Sequence, residues 1–172
     1  MRGFAQFHLL KSTSRRARVI ESDAGFTLVE LILVVAIAIV LAAVAVPIYT
    51  NLQVSAQLND STSLMIQTIR TAKEKSMARI SDLSHGVYLS AQSYTLYQGS
   101  SYIGRDPSYD RTIELDEGLT LGWNLSGTGD ANDINFSRSF GLPNKTGTIT
   151  LTHDVNGVRN ISINSYGKTE ED

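Results

Sequence analysis

One carboxylate stands at the edge of the most apolar stretch of this chain. Glu30 precedes Leu31–Val46, 16 residues that are all apolar. Extended to Phe26 and Tyr49, the stretch is long enough to cross a bilayer, which takes roughly 20 residues at helical rise. An ionised carboxylate in hydrocarbon costs about 2.5–3.5 kcal/mol on insertion scales, so it requires a positive partner. The sequence supplies one if the chain is cut after Gly25. The new α-amino group of Phe26 then lies one helical turn from Glu30, and within reach of the Glu30 of a neighbouring chain. In this reading the chain is the substrate of a cleavage, and the product is a charge pair.

Elsewhere the residues that carry chemistry are scattered. Three histidines occur. His8 lies near the N-terminus, while His85 and His153 read as single solvated residues, one in a turn and one in a strand. No G-x-S-x-G, P-loop or H-E-x-x-H pattern is present. Asp116 and Glu117 flank a turn, where carboxylates are ordinary. The absence of cysteine removes disulfides and thiolate metal sites. One cluster of oxygen donors remains: Asp130, Asn132 and Asp133, in a Gly-rich loop, are ligands of the kind that suits calcium, although their spacing departs from the EF-hand pattern. The expectation is a protein that is not an enzyme and needs no cofactor, with calcium at this loop as the one exception to test.

The segment Ala24-Gly25-Phe26-Thr27-Leu28-Val29-Glu30 resembles the class III signal of type IV pilins and type II secretion pseudopilins. Gly25, Phe26, Thr27, Leu28 and Glu30 match it position by position. The resemblance implies that a prepilin peptidase cuts between Gly25 and Phe26 and methylates the new amine of Phe26. It implies that Glu30 directs assembly, and that Pro47 stands where many pilins kink their helix. Two plainer readings compete. A secretory signal peptide would use Ala43-Val44-Ala45 as its cleavage site, and a simple single-pass anchor needs no cleavage. Both leave Glu30 unexplained.

These residues must be positioned by the elements around them. Residues 1–25 read as a leader, 26–49 as a transmembrane helix, 50–83 as an amphipathic continuation of that helix, and 84–172 as an antiparallel β domain. The leader carries five Lys/Arg against two Asp/Glu, and the rest of the chain ten against fifteen. The basic leader therefore stays in the cytoplasm and the acidic domain lies outside it. An acidic domain also argues against a general grip on nucleic acid.

Pro47 removes one backbone donor, but its flanks favour continuation of the helix. Beyond it Leu58, Met65, Ile69, Ala72, Ile80 and Leu83 recur at helical spacing, with Asp60, Arg70, Lys73, Glu74, Lys75 and Arg79 opposite. The spacing predicts one helix from Phe26 to about Ser81, broken by Ser84-His85-Gly86. Alternating strands are expected at 86–91, 94–98, 111–115, 119–123, 134–140, 148–153 and 158–165, with polar loops at 99–109 and 127–133. Asn156-Gly157 marks the clearest hairpin turn. The fold class is α+β: a long N-terminal helix packed on a small antiparallel domain in one or two sheets.

The order of elements over roughly residues 84–168 also resembles the minor pseudopilin H and FimT-type subfamily, through Gly86-Val87-Tyr88-Leu89, Ile134-Asn135-Phe136, Gly141 and the closing Tyr166-Gly167. The resemblance implies a structural subunit of a pseudopilus or pilus, assembled at the bacterial inner membrane. Its partners would be the peptidase, other subunits, and indirectly the assembly ATPase and platform. DNA-binding members carry arginines in a short C-terminal segment. Here Lys168-Thr169-Glu170-Glu171-Asp172 would repel phosphate. A DNA-binding competence pilin is thus the alternative reading, and an anchored ligand-binding domain the third. Some major pseudopilins bind calcium in a loop near the C-terminus, whereas the loop at Asp130 precedes the last strands.

Overall fold

A computed structural model describes residues 25–171, apart from the side chains of residues 44–47. The leader over residues 1–24 and part of the alternative site Ala43-Val44-Ala45 lie outside the described residues. The chain divides into two compact units, one ending at Leu41 and the other covering Ala42 onward.

In the first unit, helix α1 (Leu28–Met77) begins two residues later than expected from its apolar pattern. Every residue from Gly25 to Ala43 is exposed. The helix is long and apolar enough to cross a membrane.

In the second unit α1 runs through Pro47 and ends at Met77, four residues before the expected stop. Its buried face is Val54, Leu58, Thr62, Met65, Ile69, Ala72 and Ser76, an uninterrupted i, i+3, i+4 series. Ile80 and Leu83, expected on this stripe, are exposed instead. Arg79, Ser81 and Asp82 all take positive φ, which turns the chain out of the helix before those two side chains can point inward.

Eight strands follow, one more than expected. The first sheet has the order β3-β2-β1-β5 and the second β4-β6-β7-β8, with every pairing antiparallel. The first contains β1 (His85–Leu89), β2 (Ser93–Gln98), β3 (Arg111–Glu114) and β5 (Asp133–Phe136). The second contains β4 (Leu119–Gly127), β6 (Lys145–His153), β7 (Val158–Ile163) and β8 (Thr169–Glu171). Both sheets and the helix contribute to one apolar cluster that includes Ile69, Val87, Tyr94, Ile134, Phe136, Ile149, Leu151 and Ile161. In β6 Ile149 and Leu151 are buried while Thr150 and Thr152 are less so, the period-2 pattern of a sheet with one face on a core.

Three expectations need correction. His85 and Gly86 are part of β1 and do not break the helix. β5 stops at Phe136, because Gly141 N–H and Ser137 N–H bond back to Ser137 O and Leu142 O and close a turn. The tail, read as a charged ending, forms β8. Arg70 fastens it to the helix, with Nε donating to Thr169 Oγ1 and Nη2 to Thr169 O, both at 3.2 Å. Lys73 Nζ donates to Tyr166 O at 2.7 Å. Two residues of the polar helix face thus hold the C-terminal strand.

Candidate functional site

The N-terminal junction is built locally. Gly25 and Phe26 precede the helix, and Phe26 is 82% exposed. Thr27 serves as the N-cap: the Glu30 N–H donates to Thr27 Oγ1 at 3.2 Å, and the Leu31 N–H to Thr27 O at 3.1 Å. A threonine followed three residues later by a glutamate is the capping-box spacing, a signal already present in the sequence. Glu30 also occupies the first helical turn, where a negative charge is stabilised by the unpaired N–H groups of the helix end. The Gly25–Phe26 bond consequently lies outside the helix and in an accessible segment.

The loop residues expected to bind calcium are divided. The Asp133 side chain turns inward and is 2% exposed. One of its carboxylate oxygens accepts a hydrogen bond from Tyr97 Oη and the other from the Tyr102 N–H at 3.3 Å. Asp130 remains exposed. Its carbonyl oxygen accepts from Lys145 Nζ and from the Asp133 N–H, so an ammonium group occupies one oxygen of the loop. Asn132 contributes its carbonyl to the Leu89 N–H at 2.8 Å. Among the described residues no three His, Cys, Asp or Glu side chains converge as a metal site.

The buried pair is extended by Asn135, whose Nδ2 donates to Tyr97 Oη and to Gly99 O, both at 2.9 Å. Tyr97 crosses the face of Gly86, whose missing side chain makes room for the phenol. A Cβ there would overlap Tyr97 and approach Ile134 O to 2.7 Å. Burial raises the Tyr97 pKa, and its bond to Asp133 raises it further. Burial also raises Asp133, opposed by the bonds from Tyr97 and the Tyr102 N–H. Tyr97 and Asp133 are thus bonded to each other and buried. The network anchors the loop from Gly99 to Asp110. There the Tyr102 ring stacks on Tyr88 at 3.7 Å, and Arg105 lies over its other side at 3.4 Å and pairs with Asp110 at 2.7 Å.

Both remaining histidines are buried, contrary to the solvated reading. His153 links Gln57 (3.2 Å) and the Val155 N–H (3.1 Å). The His85 backbone is held by Ser76 Oγ, which accepts from its N–H at 2.8 Å. Burial lowers the His85 pKa below 6.5 and nearby Lys75 lowers it further, against a bond to the Leu83 backbone that raises it. Above pH 6.5 the ring is neutral folded or unfolded. Below it the unfolded chain takes the proton first, so the fold loses stability as pH falls toward 5, by at most about 1.4 kcal/mol per unit. Asp133 acts in the opposite sense, since protonating it favours the folded form. The check is therefore a difference: denaturation at pH 7 and pH 5 for the parent domain and for His85→Asn, with the acid loss smaller in the variant.

One open groove among the described residues, of about 500 Å³, is lined by Ser63, Gln67, Arg70, Glu74 and Glu171, and Arg70 there is committed to β8. Comparison with protein-family models, with characterised proteins and with solved structures finds no match.

Proposed function

We propose that the chain is a structural subunit of a pilus or secretion pseudopilus, made as an inner-membrane precursor and matured by cleavage between Gly25 and Phe26. The observation that carries this reading is the junction itself. An accessible Gly-Phe bond sits directly ahead of a capped helix whose first turn holds a lone carboxylate and whose next turns are wholly apolar and exposed. A helix with no partner for that surface among the described residues is suited to lipid before assembly and to neighbouring subunits afterwards. The outer domain supplies a surface and no catalysis. Prepilin peptidase, other subunits and the assembly machinery are its partners.

Two further observations favour this reading over DNA binding. Lys168 pairs with Glu170, and Arg159 with Glu171 at 3.2 Å. The C-terminal cations are thereby neutralised by the carboxylates beside them, leaving no free row of charge for phosphates.

The direct experiment is N-terminal sequencing and intact mass of the protein taken from membranes of cells that express the peptidase. The expected chain begins at N-methylated Phe26. A chain that begins at Val46, or one that keeps the leader, overturns the reading.

A further inference from the structure

The chain holds one Asn-Gly pair, Asn156-Gly157, in the turn that joins β6 to β7. In such a pair the backbone nitrogen of the second residue can attack the asparagine amide. Glycine carries no side chain to shield that nitrogen, and its backbone rotates most freely. A fold suppresses the attack in two ways. It holds the asparagine side chain in a hydrogen bond, or it holds the N–H that must lose its proton.

Neither restraint acts on this turn. Asn156 is exposed, and neither its side chain nor the Gly157 N–H has a hydrogen-bond partner among the described residues. The bonds that fasten the turn stop on either side of the junction. They are His153 N–H to Gly157 O (3.1 Å), Asp154 N–H to Gly118 O (2.9 Å) and Val155 N–H to His153 Nδ1 (3.1 Å). The next two asparagines in the chain are engaged. Asn160 Oδ1 accepts from Thr150 Oγ1 at 3.0 Å, and Asn164 Oδ1 accepts from the N–H groups of Tyr166 and Lys168 at 3.0 and 2.9 Å.

We propose that Asn156 is a modification site, where the folded chain loses the side-chain amide through a cyclic imide formed with Gly157. The Gly157 nitrogen gives its proton to solvent base and bonds to Asn156 Cγ. The Cγ–Nδ2 bond breaks, and the nitrogen leaves as ammonia with a proton returned by solvent. Water then opens the ring at one of its two carbonyls. Opening at Cγ restores the ordinary backbone with an aspartate. Opening at the backbone carbonyl leaves isoaspartate, whose chain runs through Cβ and Cγ. Either product replaces a neutral amide by a carboxylate, in a turn whose groove Asp154 and Glu117 already border. Isoaspartate also lengthens the turn by one methylene. Gly157 has no room to move toward the helix, since a Cβ on it would lie 2.6 Å from Leu58 Cδ1. The added length therefore falls on the closing bond between His153 N–H and Gly157 O.

Full-length chain, purified in mild detergent, is aged at mildly alkaline pH and sampled over days, in parallel with chain unfolded in guanidinium chloride. Trypsin cleavage after Lys145 and Arg159 gives peptide 146–159, in which Asn156 is the only asparagine, and cleavage after Lys168 gives 160–168, which holds Asn160 and Asn164. Mass spectrometry reads amide loss in each peptide, and an isoaspartyl methyltransferase with labelled S-adenosylmethionine reads isoaspartate. The expected result is loss in 146–159 at least tenfold faster than in 160–168, within tenfold of the unfolded rate, and with isoaspartate exceeding aspartate. Protection of 146–159 beyond tenfold in the folded chain overturns the proposal, as does equal loss from the two peptides. Aspartate without isoaspartate overturns the cyclic route. Asn156→Gln would need a larger ring and touches no contact of the fold, so loss in its 146–159 peptide should fall at least tenfold. Loss there at the parental rate also overturns the proposal.

Discussion

Ile69→Asp unfolds the C-terminal domain. Ile69 is fully buried at the centre of the helix face that meets both sheets. Truncating a buried isoleucine costs about 2–5 kcal/mol through lost burial and the cavity left behind. The aspartate adds a charge with no counter-ion among its apolar neighbours, and an unpaired buried charge is still more expensive. The total exceeds about 5 kcal/mol, a large part of the 5–15 kcal/mol that typically holds a domain together. A soluble fragment from Asn51 onward contains the buried helix face and all eight strands, and it is expected to fold cooperatively. In that fragment Ile69→Asp should lower the melting temperature by more than about 10 °C or abolish the transition. Ile69→Val, which removes one methylene, should cost about 0.5–1.5 kcal/mol. Equal melting of the aspartate variant and the parent would mean that this face of α1 is not the one the core uses.

That face was legible from residues 58 to 72, since apolar spacing along a helix needs only local information. It failed at Ile80 and Leu83, where the pattern persists but the backbone does not. Three residues with positive φ end the helical path, and none of them is a glycine that would have marked the turn. The hairpin of β6 and β7 was legible for the same local reason, through alternation and Asn156-Gly157. β8 was not, because Thr169-Glu170-Glu171 carries no apolar pattern. It is a strand because it pairs with β7 and because Arg70, 99 residues away in sequence, bonds to Thr169. Asp133 misled in a different way. In sequence it stands beside Asp130 and Asn132 as a loop carboxylate, yet its partners are Tyr97 and the Tyr102 backbone. Sheet pairing brings them together across more than 30 residues, and the one sequence trace of it is Gly86, small enough to let Tyr97 through. At the N-terminus the spacing from Gly25 to Glu30 is legible through membrane energetics and through its resemblance to a prepilin signal, while Thr27 adds a local reason for a glutamate three residues on.

These two reasons for Glu30 predict different consequences, which makes its substitution informative. As a helix cap and dipole partner, Glu30 contributes about 0.3–1 kcal/mol to the first turn, too little to affect a domain whose core begins at Val54. As a charge at the edge of an apolar span, it requires a cation, which under the proposed function is the cut amine of Phe26 on its own or an adjoining subunit. Glu30→Ala removes both effects and lowers the cost of insertion. The expected product is therefore cleaved, membrane-resident and normally folded, but excluded from the filament, with surface or secretion output reduced at least tenfold at equal membrane abundance. Glu30→Gln separates the two roles. Glutamine suits the capping-box position as glutamate does, but it carries no charge to pair with an amine. If charge pairing governs assembly, Glu30→Gln fails as completely as Glu30→Ala. If capping governs, Glu30→Gln assembles like the parent and Thr27→Val fails instead. Filament incorporation by both Glu30 variants at parental levels would show that this carboxylate takes no part in assembly.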